Sequence, residues 1–255
     1  HPDKGAPDVL PIVQRYQRNC LFYHNEQLAE ARWGGSESGT VGYPCWATVP
    51  SPYSHFGKLP QNHLEFLSHG DPDGRYWMPA MSDAPLRGEN GRHEWFWEPG
   101  DEENIEPLED LMEMYYKSVG RNSTLIVGLT PDADGLMPEP DVKRLKEWGD
   151  EIRRRFSIPI ASTSGSGEKI TLNLQEKQNI NHVLIQEEIK YGESVRKYIV
   201  EARIRGKWKV VCEGESIGHK RIQYFDHVEC TKIRLSVQKS IAEPQVKNLA
   251  VYYIK

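Results

Sequence analysis

One carboxylate, Glu37, lies in a glycine-rich run with aromatic side chains close by, at residues 32–46 (RWGGSESGTVGYPCW). Glycine lets the backbone bend sharply and expose a side chain. Desolvation can keep a carboxyl group protonated near neutral pH, and aromatic faces stack on the apolar faces of sugar rings. The run therefore fits a proton donor in a carbohydrate site, and the alternative is that Glu37 is one solvated loop carboxylate among many.

Composition limits the remaining functions. The chain has 255 residues, 38% of them hydrophobic, and no run of about 18 apolar residues that could cross a membrane. A net charge of -5 argues against nucleic acid as a partner. Four cysteines without a CxxC pair make zinc and a disulfide framework poor explanations. Pairing of Cys212 with Cys230 stays open.

Helical and strand patterns alternate in the first part of the chain. Apolar spacing predicts helices at 8–17, 103–119 and 140–156, the last with Val142 in its apolar stripe. Short apolar runs predict strands at 20–23, 75–79 and 124–129, of which the first and last are expected to be buried. This alternation is typical of an α/β fold.

The pattern changes in the second part. Residues 157–168 contain Ser-Thr-Ser-Gly-Ser-Gly and are predicted to form a linker or exposed loop. Beyond them the apolar period is two, and Arg205, Gly206 and Lys207 occupy a hairpin turn. We therefore expect an antiparallel β-sandwich of about 95 residues. The predicted domains are 1–158 and 159–255.

Several motifs, in one order along residues 8–156, resemble those of the retaining α-L-fucosidases of glycoside hydrolase family 29. RWGGSESG at 32–39 is similar to R-W-x-G-N-E-x-G, and WMPAMSDAPLR at 77–87 is similar to W-x-P-A-E-x-D-x-x-I-R. WFW at 95–97, MYYKSVGRN at 114–122 and PD followed by GL at 131–136 resemble W-F-Y, Y-Y-K-S-V-G-R-N and P-D-x-x-G-L. The chain departs from the pattern at Met81, where the family has Glu.

The resemblance implies the second half of a (β/α)₈ TIM-type barrel followed by an antiparallel β-sandwich, which is discoidin-like or carbohydrate-binding-module-like. It also implies that His1 follows the fourth barrel strand, so the nucleophilic Asp is expected upstream of this chain. Tyr224-Phe225-Asp226-His227 imitates the nucleophile motif W-F-D-G, but it falls among the sandwich strands. The missing N-terminal half of the barrel is then an expected partner.

By the same resemblance Glu37 is the general acid/base. The residues expected to bind substrate are Trp46, Trp77, Asp83, Arg87 and Trp95, with Asp83 and Arg87 as a buried pair or ordinary salt bridge. The implied reaction is hydrolysis of terminal α-L-fucosyl residues of oligosaccharides or glycoconjugates by double displacement, without metal or cofactor. L-fucose and D-galactose share much of their ring stereochemistry, so a β-galactosidase side activity is also expected.

Met81 favours the alternative of a catalytically silent, lectin-like protein. A secreted or periplasmic location is inferred from the resemblance alone.

Overall fold

The computed structural model describes residues 10–21, 30–50, 63–89, 92–93 and 95–255. Its first part contains four α-helices and seven short strands. In chain order they are α1 (Leu10–Tyr16), β1 (Arg32–Trp33), β2 (Thr48–Val49), α2 (His63–His69), β3 (Tyr76–Trp77), β4 (Ala80–Pro85), β5 (Gly88–Glu89), β6 (Arg92–His93), α3 (Leu108–Lys117), β7 (Thr124–Gly128) and α4 (Glu139–Phe156). A 3₁₀ turn, Glu102–Asn104, precedes α3.

Three of these strands form a parallel sheet in the order β1-β4-β7. Helices separate the strands along the chain, as parallel pairing requires. Side chains alternate between the two faces of the sheet. Arg32 and Ser82 are fully buried on one face, whereas Trp33, Asp83 and Ile126 belong to the other face, where Ile126 is 49% exposed. The expectation of a fully buried third strand is therefore wrong for that face.

The second part forms one six-stranded antiparallel sheet in the order β11-β10-β12-β9-β13-β8. Its strands are β8 (Ala161–Ser166), β9 (Lys169–Glu187), β10 (Val195–Ile204), β11 (Lys207–Gly214), β12 (Arg221–Ser240) and β13 (Gln245–Tyr252). All six contribute side chains to one apolar cluster. The two long strands, β9 and β12, slip in register twice, and such bulges bend a sheet so that one face can enclose a core.

The predicted α/β part followed by an antiparallel β part is confirmed. The hairpin turn is also confirmed, with Arg205 and Gly206 at φ 49° and 80° between β10 and β11. Two positive φ values are the requirement of the tight turn that suits the twist of a hairpin. The Tyr224–His227 sequence lies within β12, at a register slip, and not at the end of a parallel strand.

Several details differ from the predictions. Residues 161–166 form strand β8 and are not a linker, because pairing with β13 outweighs their low strand propensity. Leu21 is exposed and lies outside any strand, so a buried strand at 20–23 is wrong in its described residues. The predicted helix 103–119 shortens to α3, since Pro107 interrupts it. Val142 is 50% exposed, and Cys212 and Cys230 are free thiols.

The two parts share a polar interface and an apolar cluster. Helices α3 and α4 contribute Leu111 and Trp148 to a cluster that includes Leu184 and Tyr252 of the antiparallel sheet. A division into domains at residue 158 therefore stays a prediction. Among the described helices, none is long and apolar enough to span a membrane.

Candidate active site

Glu37 lies beyond the carboxyl end of β1. Trp33 pairs with Met81, so the residues after Trp33 leave the sheet on the side toward which β4 and β7 also run. Gly39, at φ 67°, donates its N–H to the carbonyl of Asp83 at 2.8 Å and so returns the loop to the sheet. A side chain at Gly39 would meet Met114, so glycine is required twice over. The loop leaves the Glu37 side chain exposed.

Trp95 is hydrogen-bonded to the Glu37 carboxylate. Its indole Nε1–H donates to Glu37 Oε2 at 3.3 Å. The Trp95 ring lies against the backbone of Gly128, the last residue of β7, where a side chain would collide with it. The absence of a side chain at residue 128 thus allows the indole to reach over the end of β7 toward Glu37.

Trp33 and Asp83 form a second polar contact on the same face of the sheet. The Trp33 indole Nε1–H donates to Asp83 Oδ1 at 2.7 Å, and both side chains are half-buried. An aromatic ring and an oriented carboxylate thus lie one strand apart, below the edge that carries Glu37. Together with Trp95, they give this edge two indole rings and two carboxylates, a composition suited to a polar ligand with apolar faces.

Arg87 is placed differently from its prediction. It is 2% exposed and makes a bidentate pair with Asp141, through Nε at 3.1 Å and Nη2 at 2.8 Å, with Asp101 3.7 Å away. The Asp83–Arg87 pair is therefore wrong. The hydrogen bonds that Arg87 donates to the Asp141 carboxylate raise the pKa of Arg87. The sequence did not reveal Asp101 and Asp141 as the partners of Arg87. Both residues are near helix starts, where the helix dipole is already a sufficient reason for an acidic residue.

Trp46 and Trp77 do not reach Glu37. Trp46 is 4% exposed, and the guanidinium of Arg196 lies over its ring, 4.6 Å from the centroid. Trp77 pairs with Thr48 and precedes the amino end of β4. Since a six-residue strand spans about 20 Å, Trp77 is at the opposite end of the sheet from Glu37.

A buried polar cluster supports the loop beyond Glu37. Glu193, from the antiparallel part, accepts the N–H of Ala47 at 2.9 Å and a hydrogen bond from Asn122 Nδ2. Burial raises the pKa of Glu193 to about 7 and that of the Cys45 thiol to about 11. Sequence reasoning missed Glu193 because nothing near residue 193 shows that it meets residue 47.

The arrangement suits proton transfer to a ligand placed between Glu37 and the exposed face of the sheet. In barrels of parallel strands and helices, functional side chains are found at the carboxyl ends of the strands. The described residues contain no group of three or more His, Cys, Asp or Glu side chains that could hold a metal ion. Fold and site together define a class, a (β/α)-type scaffold carrying an acidic, tryptophan-lined edge and an appended antiparallel sheet.

Comparison with known proteins identifies the relatives within this class. α-L-Fucosidase 1 of Arabidopsis thaliana is 26% identical over 281 residues, covering 96% of this chain and 53% of that protein. A crystal structure from Bacteroides thetaiotaomicron, of a protein assigned to the α-L-fucosidases, superposes with a TM-score of 0.95 at 58% identity, covering all of this chain and 59% of that one. No protein-family model matches.

A glycoside hydrolase 29 family member from a rumen bacterium gives a TM-score of 0.82 at 29% identity, with 96% of this chain and 44% of that chain covered. The resemblance seen in the sequence is confirmed, since the chain is similar to α-L-fucosidases and to a member of glycoside hydrolase family 29. It spans about half the length of the curated relatives it matches.

Proposed function

We propose that the protein is a retaining exo-glycosidase that removes terminal α-L-fucosyl residues from oligosaccharides or glycoconjugates. The observation that carries the proposal is the exposed Glu37 carboxylate, held by the Trp95 indole at the carboxyl ends of three parallel strands. The relatives named as α-L-fucosidases support the choice of sugar.

In the proposed mechanism Glu37 acts as general acid and then as general base. It first protonates the leaving glycosidic oxygen while a second carboxylate attacks the anomeric carbon. It then removes a proton from the water that hydrolyses the glycosyl-enzyme intermediate. Retaining enzymes keep the two carboxyl groups about 5–5.5 Å apart. In this proposal the nucleophilic Asp belongs to a segment upstream of the chain, as the resemblance implies.

Trp95 would position the acid, and Trp33 and Asp83 would form part of the sugar-binding wall. A hydrogen bond from an indole N–H fixes the direction in which the Glu37 carboxylate points, and orientation of this kind lowers the entropic cost of proton transfer. Trp46, Trp77 and Arg87 are left out of this proposal, because they are buried or lie at the other end of the sheet.

We also propose that the N-terminal half of a barrel covers the exposed face of the parallel sheet. Ile126 and Thr124 are exposed on that face, and in the described part of the chain β1 and β7 are the two edges of a three-stranded sheet. An exposed face and sheet edges of this kind are stabilised by further strands. A secreted or periplasmic location belongs to the same proposal and rests on the resemblance alone.

The test compares native protein with Glu37→Gln in a protein that carries both halves of the barrel, using an aryl α-L-fucoside. We expect kcat to fall roughly 10²–10⁴-fold in the variant, with azide restoring turnover because it needs no general base. Glu98→Gln, a change at an exposed glutamate beyond Trp95, is the matched control and should leave kcat unaltered.

Two outcomes would contradict this proposal, the first its enzymatic activity and the second the role of Glu37. If fucose binds but no aryl fucoside is turned over, the pocket is a lectin-like receptor, the alternative that Met81 favours. If Glu37→Gln and Glu98→Gln behave alike, another group is the acid/base. An aryl β-D-galactoside in the same assay tests the side activity, and we expect slower turnover that also depends on Glu37.

A further inference from the structure

A cleft of about 200 Å³ lies between the end of α3 and the start of β12. Residues 118–123 connect α3 to the amino end of β7, so the cleft is at the end of the parallel sheet remote from Glu37. Its lining is cationic and aromatic and consists of Glu113, Tyr116, Lys117, Arg121, Arg221, Ile222, Gln223 and Tyr224. Nothing in the proposed reaction uses these residues.

Two arginines are forced together in this cleft by the backbone. Arg121 and Arg221 form an antiparallel β-bridge between the two parts of the molecule. Residues paired in this way present their side chains on the same face, and like charges placed directly opposite one another are destabilising. Arg121 donates to the carbonyl of Val41 at 2.8 Å, and Arg221 donates to that of Gly120 at 3.0 Å, so neither is free to swing away.

The charge of this pair is not neutralised within the described chain. No described carboxylate lies within ion-pair distance of Arg121 or Arg221, and the one acidic residue of the cleft, Glu113, pairs with Lys117 at 3.0 Å. The buried Nε of Arg221 has no hydrogen-bond partner among the described residues. Burial, followed by repulsion from Arg221, lowers the pKa of Arg121. Three cations therefore face one carboxylate.

An exposed aromatic ring stands beside these cations. Tyr224 is 60% exposed, and its ring meets that of Tyr116 edge to face, with centroids 5.6 Å apart. A fixed tyrosine with a free face offers a stacking surface for a sugar ring. The two guanidinium groups offer the planar N–H donors that bind oxyanions well.

We propose that this cleft binds an acidic saccharide, with the Arg121–Arg221 pair holding a sulfate ester or carboxylate and Tyr224 contacting the sugar ring. The saccharide part rests on the proposed function, whereas binding of the oxyanion rests on the cleft alone. Such a site would hold an acidic glycan at a distance from the bond that is cleaved.

The test is calorimetric titration of the protein with both barrel halves, at constant ionic strength, using galactose 6-sulfate, glucuronate, neutral galactose and inorganic sulfate. We expect one or both acidic sugars to bind at least tenfold more tightly than neutral galactose. Arg221→Gln should weaken that binding roughly tenfold, since it removes the charge-assisted hydrogen bonds of one guanidinium group. Lys117→Gln is a second variant, away from the β-bridge, and should weaken it less.

Arg203→Gln, the same charge change at an exposed position of β10, is the matched control and should bind as the native protein does. If it weakens binding as much as Arg221→Gln, the cleft is not a specific site. Equal affinity for inorganic sulfate and galactose 6-sulfate would overturn the saccharide part, and no binding of any anion would overturn the whole proposal. Fucoside turnover, measured in the same samples, should be unchanged by all three variants. A loss of turnover would therefore bear on the proposed function and not on the anion site.

Discussion

The parallel and antiparallel sheets differ in the side chains at the centre of their buried faces. The buried face of the parallel sheet carries the guanidinium of Arg32 and the hydroxyl of Ser82, each 0% exposed. The antiparallel sheet buries an almost wholly apolar cluster, with residues such as Val200 and Leu249 at 0%. The first sheet is thus held by specific hydrogen bonds and leaves its other face open, whereas the second encloses its own core.

This difference assigns a role to each part. The open face of the parallel sheet carries Asp83, and its carboxyl edge carries Glu37. The placement of both carboxylates depends on neighbouring groups. The antiparallel sheet supplies some of those neighbours. The Tyr43 hydroxyl accepts a hydrogen bond from the N–H of Glu215 at 2.7 Å, and the Glu193 carboxylate accepts one from the N–H of Ala47. The loop that continues from Glu37 is therefore fixed by the antiparallel part of the molecule.

The largest effect should come from breaking the buried ion pair in the parallel part. Arg87→Met leaves Asp141 and Asp101 buried without their cation, and we expect unfolding to require roughly 3–5 kcal/mol less free energy. Urea denaturation measures this. Arg234→Met in the antiparallel part is the matched control, because Arg234 also makes a bidentate pair, with Glu201, but is more exposed, and it should cost about 1 kcal/mol. Equal losses would contradict the comparison.

The next effect concerns pH and the interface between the parts. Burial raises the pKa of Glu193 from 4.5 to about 7 in the folded protein. The hydrogen bonds from Ala47 and Asn122 and the charge of Arg32 oppose this rise, whereas repulsion from Glu187 adds to it. The folded state therefore binds the Glu193 proton more tightly. The corresponding stabilisation of the folded state is complete below pH 4.5. As the pH rises to 7 it is lost, and the free energy of unfolding falls by about 3 kcal/mol.

Thermal or urea unfolding between pH 4 and 8 tests the role of Glu193 when the stabilities of native protein and variant are compared. Stability of native protein relative to Glu193→Gln should fall across that window, and the exposed Glu213→Gln should show no such trend relative to native protein. Because other groups, Glu187 among them, also titrate, only the difference between variants isolates Glu193. A flat difference would mean that the buried carboxylate does not couple the two parts.

How far the sequence predicts this structure depends on the range of the interactions. The helix at Glu139–Phe156 and the turn at Arg205 and Gly206 follow from local patterns, because their apolar spacing and backbone requirements lie within a few residues. The contact of Trp95 with Glu37 spans 58 residues, and the Glu193–Ala47 contact spans 146. No local pattern encodes such contacts, so the partners of Arg87 and the burial of Trp46 were not predictable in this way.

A smaller effect should follow from removing the indole donor at the candidate site. Trp95→Phe keeps an aromatic ring near Gly128 but loses the N–H bonded to Glu37, and we expect kcat/KM for an aryl α-L-fucoside to fall about tenfold. Phe96→Leu changes the adjacent aromatic residue, which is 83% exposed, and should leave kcat/KM unaltered. If both variants lose activity equally, the loop as a whole matters and the hydrogen bond does not.

The smallest effects come from two glycines that differ in backbone conformation. Gly206, in the antiparallel part, has φ 80° and open space around it, so Gly206→Ala should destabilise by about 1 kcal/mol through backbone strain alone. Gly149, in helix α4 of the parallel part, has helical geometry and would place a Cβ 3.4 Å from the flexible side chain of Arg153. Gly149→Ala should therefore stabilise by about 1 kcal/mol. Opposite signs in urea denaturation are expected, and equal signs would show that packing around these residues, rather than backbone conformation, decides the outcome.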